Sequence, residues 1–199
     1  MTGIARLREF VRGMTLLAEA GADAHRFLEE GGALLAVLVR HDDWLPEDCA
    51  VPGPTYRQYL LHCDPLERFS VVSFVWGPGQ RTPIHDHTVW GLVGMLRGEE
   101  ISTEMIPGPP GTPVREGRKD RLRPGEVVKV CPETYDIHVV ENAIPDAPSI
   151  SIHVYGGNIG AIARSRFDPL TGARSRFVSG YSNAAVPNLW DRSREQAAA

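Results

Sequence analysis

The 199-residue chain is long enough for one domain with an appended segment, and its 42% hydrophobic and 23% charged residues suit a globular core. A formal net charge of −4 argues against nucleic acid as a partner, and no apolar run is long enough to span a bilayer as a helix. Three cysteines without paired spacing (Cys49, Cys63 and Cys131), and no legible signal peptide, point to a soluble protein of a reducing, cytoplasmic compartment.

From Ile4 to Val39 the chain is rich in Ala, Leu and Glu. Leu7, Phe10, Val11, Met14 and Leu17 recur at helical spacing, which predicts two or three amphipathic helices broken near Gly21 and Gly31–Gly32. "HDDWLPEDCAVPGP" reads as a connector, because Pro52 and Pro54 oppose helix. After Tyr56 the character changes. Short β-type runs ("RFSVVSFVW", "VWGLVGMLRG", "EEISTEMI", "GEVVKVC", "DIHVVENA", "SISIHVYGG") alternate with Gly/Pro turns and predict an antiparallel sandwich or barrel. From Phe167 onward the text reads as irregular strand and loop. The division expected is a helical segment over 1–50 packed on the barrel, a barrel domain over 51–185, and a tail over 186–199 with no role beyond solubility.

The chemistry concentrates in three places. In "TPIHDHTVWG", His85 and His87 are two apart, so on a strand both imidazoles project to one face and can share a metal ion. Gly79, Gly91 and Gly98 frame this pair, and "CPETYDIHVVEN" adds Pro132, His138 and Asn142. In "SISIHVYGG", Ser151, His153 and Tyr155 share one face and Ile150, Ile152 and Val154 the other. A row of hydrogen-bonding groups on an apolar strand is either a solvated face or a relay in which Ser151 bonds His153 and His153 orients Tyr155.

The two-part histidine pattern resembles the cupin superfamily, small β-barrels that hold a metal. Many cupins complete the site with a glutamate after the histidine pair. Here Gly91 or Leu92 occupies that place, leaving three neutral ligands, an undiminished cation charge and open positions for anions from solution. A thiolate suits iron(II) or another borderline metal, while zinc in a three-histidine hydrolytic site fits the same ligands.

Taken in order, "YRQYLL", "FVWGPG", "PIHDHTVWG", "ETYDIHVVEN" and "SISIHVYGG" resemble the cysteine dioxygenase family of thiol dioxygenases. The resemblance implies a mainly β cupin fold (a double-stranded β-helix, or jelly-roll barrel) preceded by N-terminal α-helices. It implies non-haem Fe(II), dioxygen and a small thiol converted to a sulfinic acid. Carried over, the metal ligands are His85, His87 and His138, and the outer triad is Ser151, His153 and Tyr155.

Two departures bear on substrate. Mammalian-type members cross-link a cysteine to the triad tyrosine, but Gly91 stands where that cysteine is expected. They also bind the cysteine carboxylate through an arginine where this chain has Gln58, a neutral amide that cannot form the bidentate ion pair. Arg57 points to the opposite face if the segment is a strand. The glutamine form resembles the bacterial branch that prefers 3-mercaptopropionate, whose arginine eleven residues beyond the triad histidine corresponds to Arg164, with Arg166 a competitor. The expectation is therefore a dioxygenase of a small thiol carboxylate, 3-mercaptopropionate favoured, with Arg164, Gln58 and Tyr155 contacting it. A cysteine dioxygenase and a non-catalytic ligand-binding cupin are the alternatives, and either a monomer or a small homo-oligomer fits.

Overall fold

The computed structural model describes residues 3–133 and 136–190. Helix α1 (Ala5–Glu19) buries Leu7, Phe10, Val11, Met14 and Leu17, the stripe that its three-to-four spacing dictates. It stops where Gly21 takes a left-handed backbone (φ 68°). Asp23 caps the next run by accepting from the Arg26 N–H. That run continues unbroken through α2 (Ala24–Arg26), a π-helical turn (Phe27–Gly31) and α3 (Gly32–Val39).

The break expected at Gly31–Gly32 is thus absent. Those glycines serve close approach instead: a Cβ on Gly31 would lie 3.1 Å from Met14 Sδ, where α1 crosses. Gly94 does the same from below, since a Cβ there would meet the Leu35 and Val39 side chains of α3 at 2.9 Å.

Among the described residues the strands follow in the order β1 (Arg57–Cys63), β2 (Ser70–Trp76), β3 (Ile84–His85), β4 (Gly91–Arg97), β5 (Glu100–Ile106) and β6 (Arg115–Leu122). Then come β7 (Val127–Val130), β8 (His138–Asn142), β9 (Ser149–Tyr155), β10 (Arg164–Phe167) and β11 (Arg174–Phe177). Two antiparallel sheets result, ordered β1-β2-β9-β4-β7 and β11-β10-β3-β8-β5-β6. This is the mainly β, double-sheet architecture with helices in front that the sequence predicts.

The helices cover the outer face of the first sheet. Leu7, Met14 and Leu35 pack there with Val71, Val75, Leu92, Ile150, Ile152 and Val154 in one apolar cluster. At roughly 1.5–3 kcal/mol for each fully buried large side chain, this layer is a principal source of stability. The inner face looks across to the second sheet, where Val72, Phe74, Trp76 and Tyr155 meet Val140 of β8. Strand β9 therefore lies between two buried layers, and all seven of its residues are buried.

Three strands escaped the sequence reading. β6, "REGRKDRL", is an exposed edge strand whose charges hide any period-two pattern and discourage further pairing. β10 and β11 form a hairpin, and β10 ends at Phe167, where the stretch read as irregular strand and loop begins. Of the expected tail, residues 186–190 are described, and Leu189 is buried in the helical cluster with its carbonyl accepting from Arg8 Nε. Residues 191–199, including "RSREQAAA", lie outside the described residues.

Candidate metal centre

His85 ends β3 and stands in register with His138, the first residue of β8. His87 follows two residues on, and the three ring centroids are 4.7–4.9 Å apart. One ligand nitrogen from each lies within 4.8 Å of the others, in a fully buried cluster. Each ring is held through its far nitrogen. His85 Nδ1 is 3.0 Å from the Pro83 carbonyl, which can only accept, so that nitrogen carries the proton. His87 Nδ1 lies 3.0 Å from Asp136 Oδ1 and 3.1 Å from the Asp136 carbonyl. His138 Nδ1 lies 3.0 Å from Ser102 Oγ. The acceptors at Nδ1 of His85 and His87 leave their Nε2 lone pairs free, and three imidazole nitrogens gathered at one centre form a donor set that fits a divalent transition metal.

The electrostatics agree with ligation. Burial, with His87 and Arg164 nearby, pushes His85 down to about 3, and burial also holds His138 well below the ordinary imidazole range. Those two imidazoles are consequently neutral, with lone pairs available. Burial disfavours the Asp136 carboxylate, but its hydrogen bonds to the His87 side chain and backbone hold it below the usual carboxylate range. It also accepts from the Thr88 N–H, pinning a non-glycine residue at φ 62°. Asp86, although between the two histidines, instead accepts from the Ser165 N–H and ties the turn to β10. No acidic side chain joins the histidine cluster among the described residues.

The Ser151, His153 and Tyr155 row faces this centre. Ser151 Oγ lies 2.8 Å from His153 Nε2, and His153 Nδ1 lies 2.7 Å from Tyr155 Oη. Trp76 Nε1 donates to Ser151 Oγ at 3.2 Å. The Tyr155 ring stacks on His87 at 5.6 Å between centroids. Burial raises the tyrosine above its ordinary value, so it keeps its proton, and burial keeps His153 neutral.

Arg164 lines the same enclosed chamber as the three histidines, Tyr155, Gln58, Phe74 and Trp76. Its Nη2 donates to Ser179 Oγ at 2.8 Å, its guanidinium lies 4.7 Å from the Phe177 ring centroid, and its buried Nε has no protein partner. Arg166 is exposed and bonds Ser175. Gln58 pairs with Phe74 across β1 and β2, which places it on the chamber side, and its Nε2 donates to the Gly180 carbonyl at 2.6 Å. Arg57 pairs with Val75, whose side chain belongs to the helix-facing cluster. A Cβ on Gly91 would sit 3.2 Å from two Tyr155 ring carbons, so the glycine leaves that ring its place.

Sequence reasoning missed the residues that hold the three imidazoles and close the chamber. Asp136 had a signal, standing two residues before His138, but Ser102, Ser179 and Phe177 reach the site only through sheet pairing and the β10–β11 hairpin.

The chain is similar to several known proteins. A cupin-like protein of Thermotoga maritima is 24% identical over 53% of this chain and 76% of its own, with a TM-score of 0.40. A cupin superfamily protein of Desulfitobacterium hafniense is 15% identical over 59% and 94%, with a TM-score of 0.43. A Klebsiella pneumoniae protein with a double-stranded β-helix domain is 16% identical over 65% and 91%, with a TM-score of 0.44. Residues 64–168, more than half of the chain, match the family described as Cysteine dioxygenase type I, and that stretch contains the three histidines, the Ser–His–Tyr row and Arg164. The chain belongs to the cysteine dioxygenase type I family.

Proposed function

We propose that the protein is a non-haem iron(II) thiol dioxygenase acting on a small thiol carboxylate, 3-mercaptopropionate before cysteine. The reaction is R–SH + O2 → R–SO2H, with both oxygen atoms delivered to sulfur. The observation that carries the substrate choice is the charge of the chamber: it contains the buried Arg164 guanidinium with an unsatisfied Nε, and no acidic side chain lines it among the described residues. An unpaired buried donor on a cation calls for an anionic partner, and a carboxylate supplies one. A substrate ammonium group would meet only Arg164 and neutral side chains there.

His85, His87 and His138 would hold the metal. Iron(II) so held would supply the electron-transfer chemistry that joins dioxygen to a thiolate. The protein's own residues do the positioning. Arg164 binds the substrate carboxylate, and Ser179 fixes the guanidinium. Tyr155 presents a protonated hydroxyl, oriented by His153. Phe74 and Trp76, stacked at 5.5 Å, wall the chamber against bulk water.

The test is oxygen uptake by the iron(II)-loaded protein with 3-mercaptopropionate, cysteine and cysteamine side by side, with products weighed by mass spectrometry. Stoichiometric uptake with 3-mercaptopropionate and a gain of two oxygens is the expected result. Preference for cysteine would keep the enzyme class and overturn the substrate. Bound iron without uptake on any thiol would leave a ligand-binding cupin or a hydrolytic enzyme on the same barrel.

A further inference from the structure

Gln58 lines the chamber, but its amide is already committed. The Gly180 carbonyl can only accept, so the side-chain nitrogen of Gln58 faces it, at 2.6 Å. The contact belongs to a larger attachment. Strand β1 is the edge of its sheet, and residues 178–183, which follow β11 with no strand of their own, run along that edge. The Ser182 N–H donates to the Gln58 carbonyl at 2.8 Å, and the Gln58 N–H donates to Ser182 Oγ at 3.1 Å. Asn183 grips Leu60 in the same way, accepting from its N–H and donating to its carbonyl, both at 2.9 Å. The strap so formed occupies backbone groups that an edge strand would otherwise expose.

The near end of the strap carries the holders of Arg164. Ser179 Oγ accepts from Arg164 Nη2 at 2.8 Å, and Phe177, the last residue of β11, places its ring 4.7 Å from the guanidinium. Gly180 comes next, turned at φ 63°, a left-handed conformation that favours glycine, and its N–H donates to the Gly160 carbonyl at 3.0 Å. Gln58 thus holds the residue beside Ser179, and Ser179 holds the guanidinium. We infer that Gln58 is a positioning residue, which latches the strap 178–183 against the chamber and so sets where Arg164 presents its charge. It acts on substrate only through that arginine, in place of the direct contact that its position in the sequence suggests. This deepens the thiol-carboxylate reading and rests on it.

The latch matters because a guanidinium is a flat fork. Its pairing with a carboxylate depends on how the fork is turned, so a guanidinium free to rotate binds less well than one held in place. Ser179 pins one nitrogen of Arg164 and leaves Nε bare, so the strap sets which donor is offered. Without the Gln58 amide, the Gly180 carbonyl loses that partner and the strap beside Ser179 is held by one bond fewer.

Two readouts test this, and neither needs turnover. The first is deuterium exchange of residues 178–183 in the zinc-loaded full-length protein. Gln58→Met, close in volume but without a donor, should speed exchange there about tenfold. Exchange equal to wild type would overturn the latch. The second is the Kd of 3-mercaptopropionate for the same zinc-loaded protein, by calorimetry, in Gln58→Met, Ser179→Ala and the double variant. Each single variant should bind about tenfold more weakly, and the double no worse than the weaker single. Cysteamine, which has no carboxylate, should keep its Kd in all three. Losses that multiply would put Gln58 on the substrate itself, and an equal loss for cysteamine would reduce the strap to general support; either overturns the proposal. Should Gln58→Met fail to fold, Gln58→Asn, too short to keep the bond to Gly180, makes the same comparisons. A wild type that binds no 3-mercaptopropionate would strike the thiol-carboxylate reading, and exchange would still decide whether Gln58 holds the strap. Absence of oxygen uptake by the iron-loaded protein would strike only the dioxygenase chemistry and leave both readouts standing.

Discussion

The two faces of β9 are both buried, yet they are built on opposite principles. Outward, Ile150, Ile152 and Val154 meet the helical layer, where hydrophobic burial rewards volume and shape. Inward, Ser151, His153 and Tyr155 form a file in which each polar atom is matched to the next at 2.7–2.8 Å. A polar row this deep is tolerated only because it is hydrogen-bonded along its length, and that matching leaves a defined orientation at its end. The contrast teaches where stability and chemistry are kept apart: one strand carries the fold on one side and the site on the other.

That separation can be broken by substitution on one side at a time. The largest effect should come from His138→Ala, which removes one of the three proposed metal ligands. Metal content after dialysis should fall to background while the circular dichroism keeps the wild-type shape, and a full metal complement would remove His138 from the ligand set. On the outward face, Ile152→Ala should cost about 2–5 kcal/mol in urea unfolding, with metal stoichiometry unchanged. A matching loss of metal would show that the faces are coupled.

Smaller effects should sharpen the inner face. Arg164→Ala should raise KM for 3-mercaptopropionate about ten- to hundred-fold, as expected for losing a charge-assisted bond, and leave cysteamine, which has no carboxylate, little changed. Asp136→Asn should weaken metal binding by about 10- to 100-fold in a competition titration, because the carboxylate that fixes the His87 ring is gone.

A last prediction concerns pH. Glu100 is raised from 4.5 to about 8, so between these values the folded protein binds a proton that the unfolded chain has released. Stability should therefore fall as pH rises through this window, by up to about 1.4 kcal/mol per pH unit. Glu100→Gln should flatten the slope, and unfolding midpoints at pH 5, 6.5 and 8 would measure it.

Much of the inner face was legible because its elements are local. A histidine pair two residues apart and a strictly alternating strand declare their shared faces through the period of the backbone alone. The helical stripe of α1 was readable for the same reason, and Gly91 was conspicuous as a missing side chain. Misreadings arose where a residue's reason lies elsewhere in the chain. Gly31 looked like a helix breaker, whereas its bareness answers to Met14 of the neighbouring helix. The charged β6 has no core face to advertise, and Leu189 is buried only because α1 lies beneath it.

By itself, then, the amino-acid order determined a mainly β chain, the shared face of His85 and His87 and the file of hydrogen-bonding groups, since short-range periodicity fixes which side chains point together, while His138 joined the pair through the family resemblance. Tertiary structure alone decided which of two arginines is buried, which oxygen orients each imidazole, and that the carboxyl of Glu100 lies buried beside Ser149 of the opposite sheet. Those relations join residues up to about fifty positions apart, and no local pattern encodes such a distance.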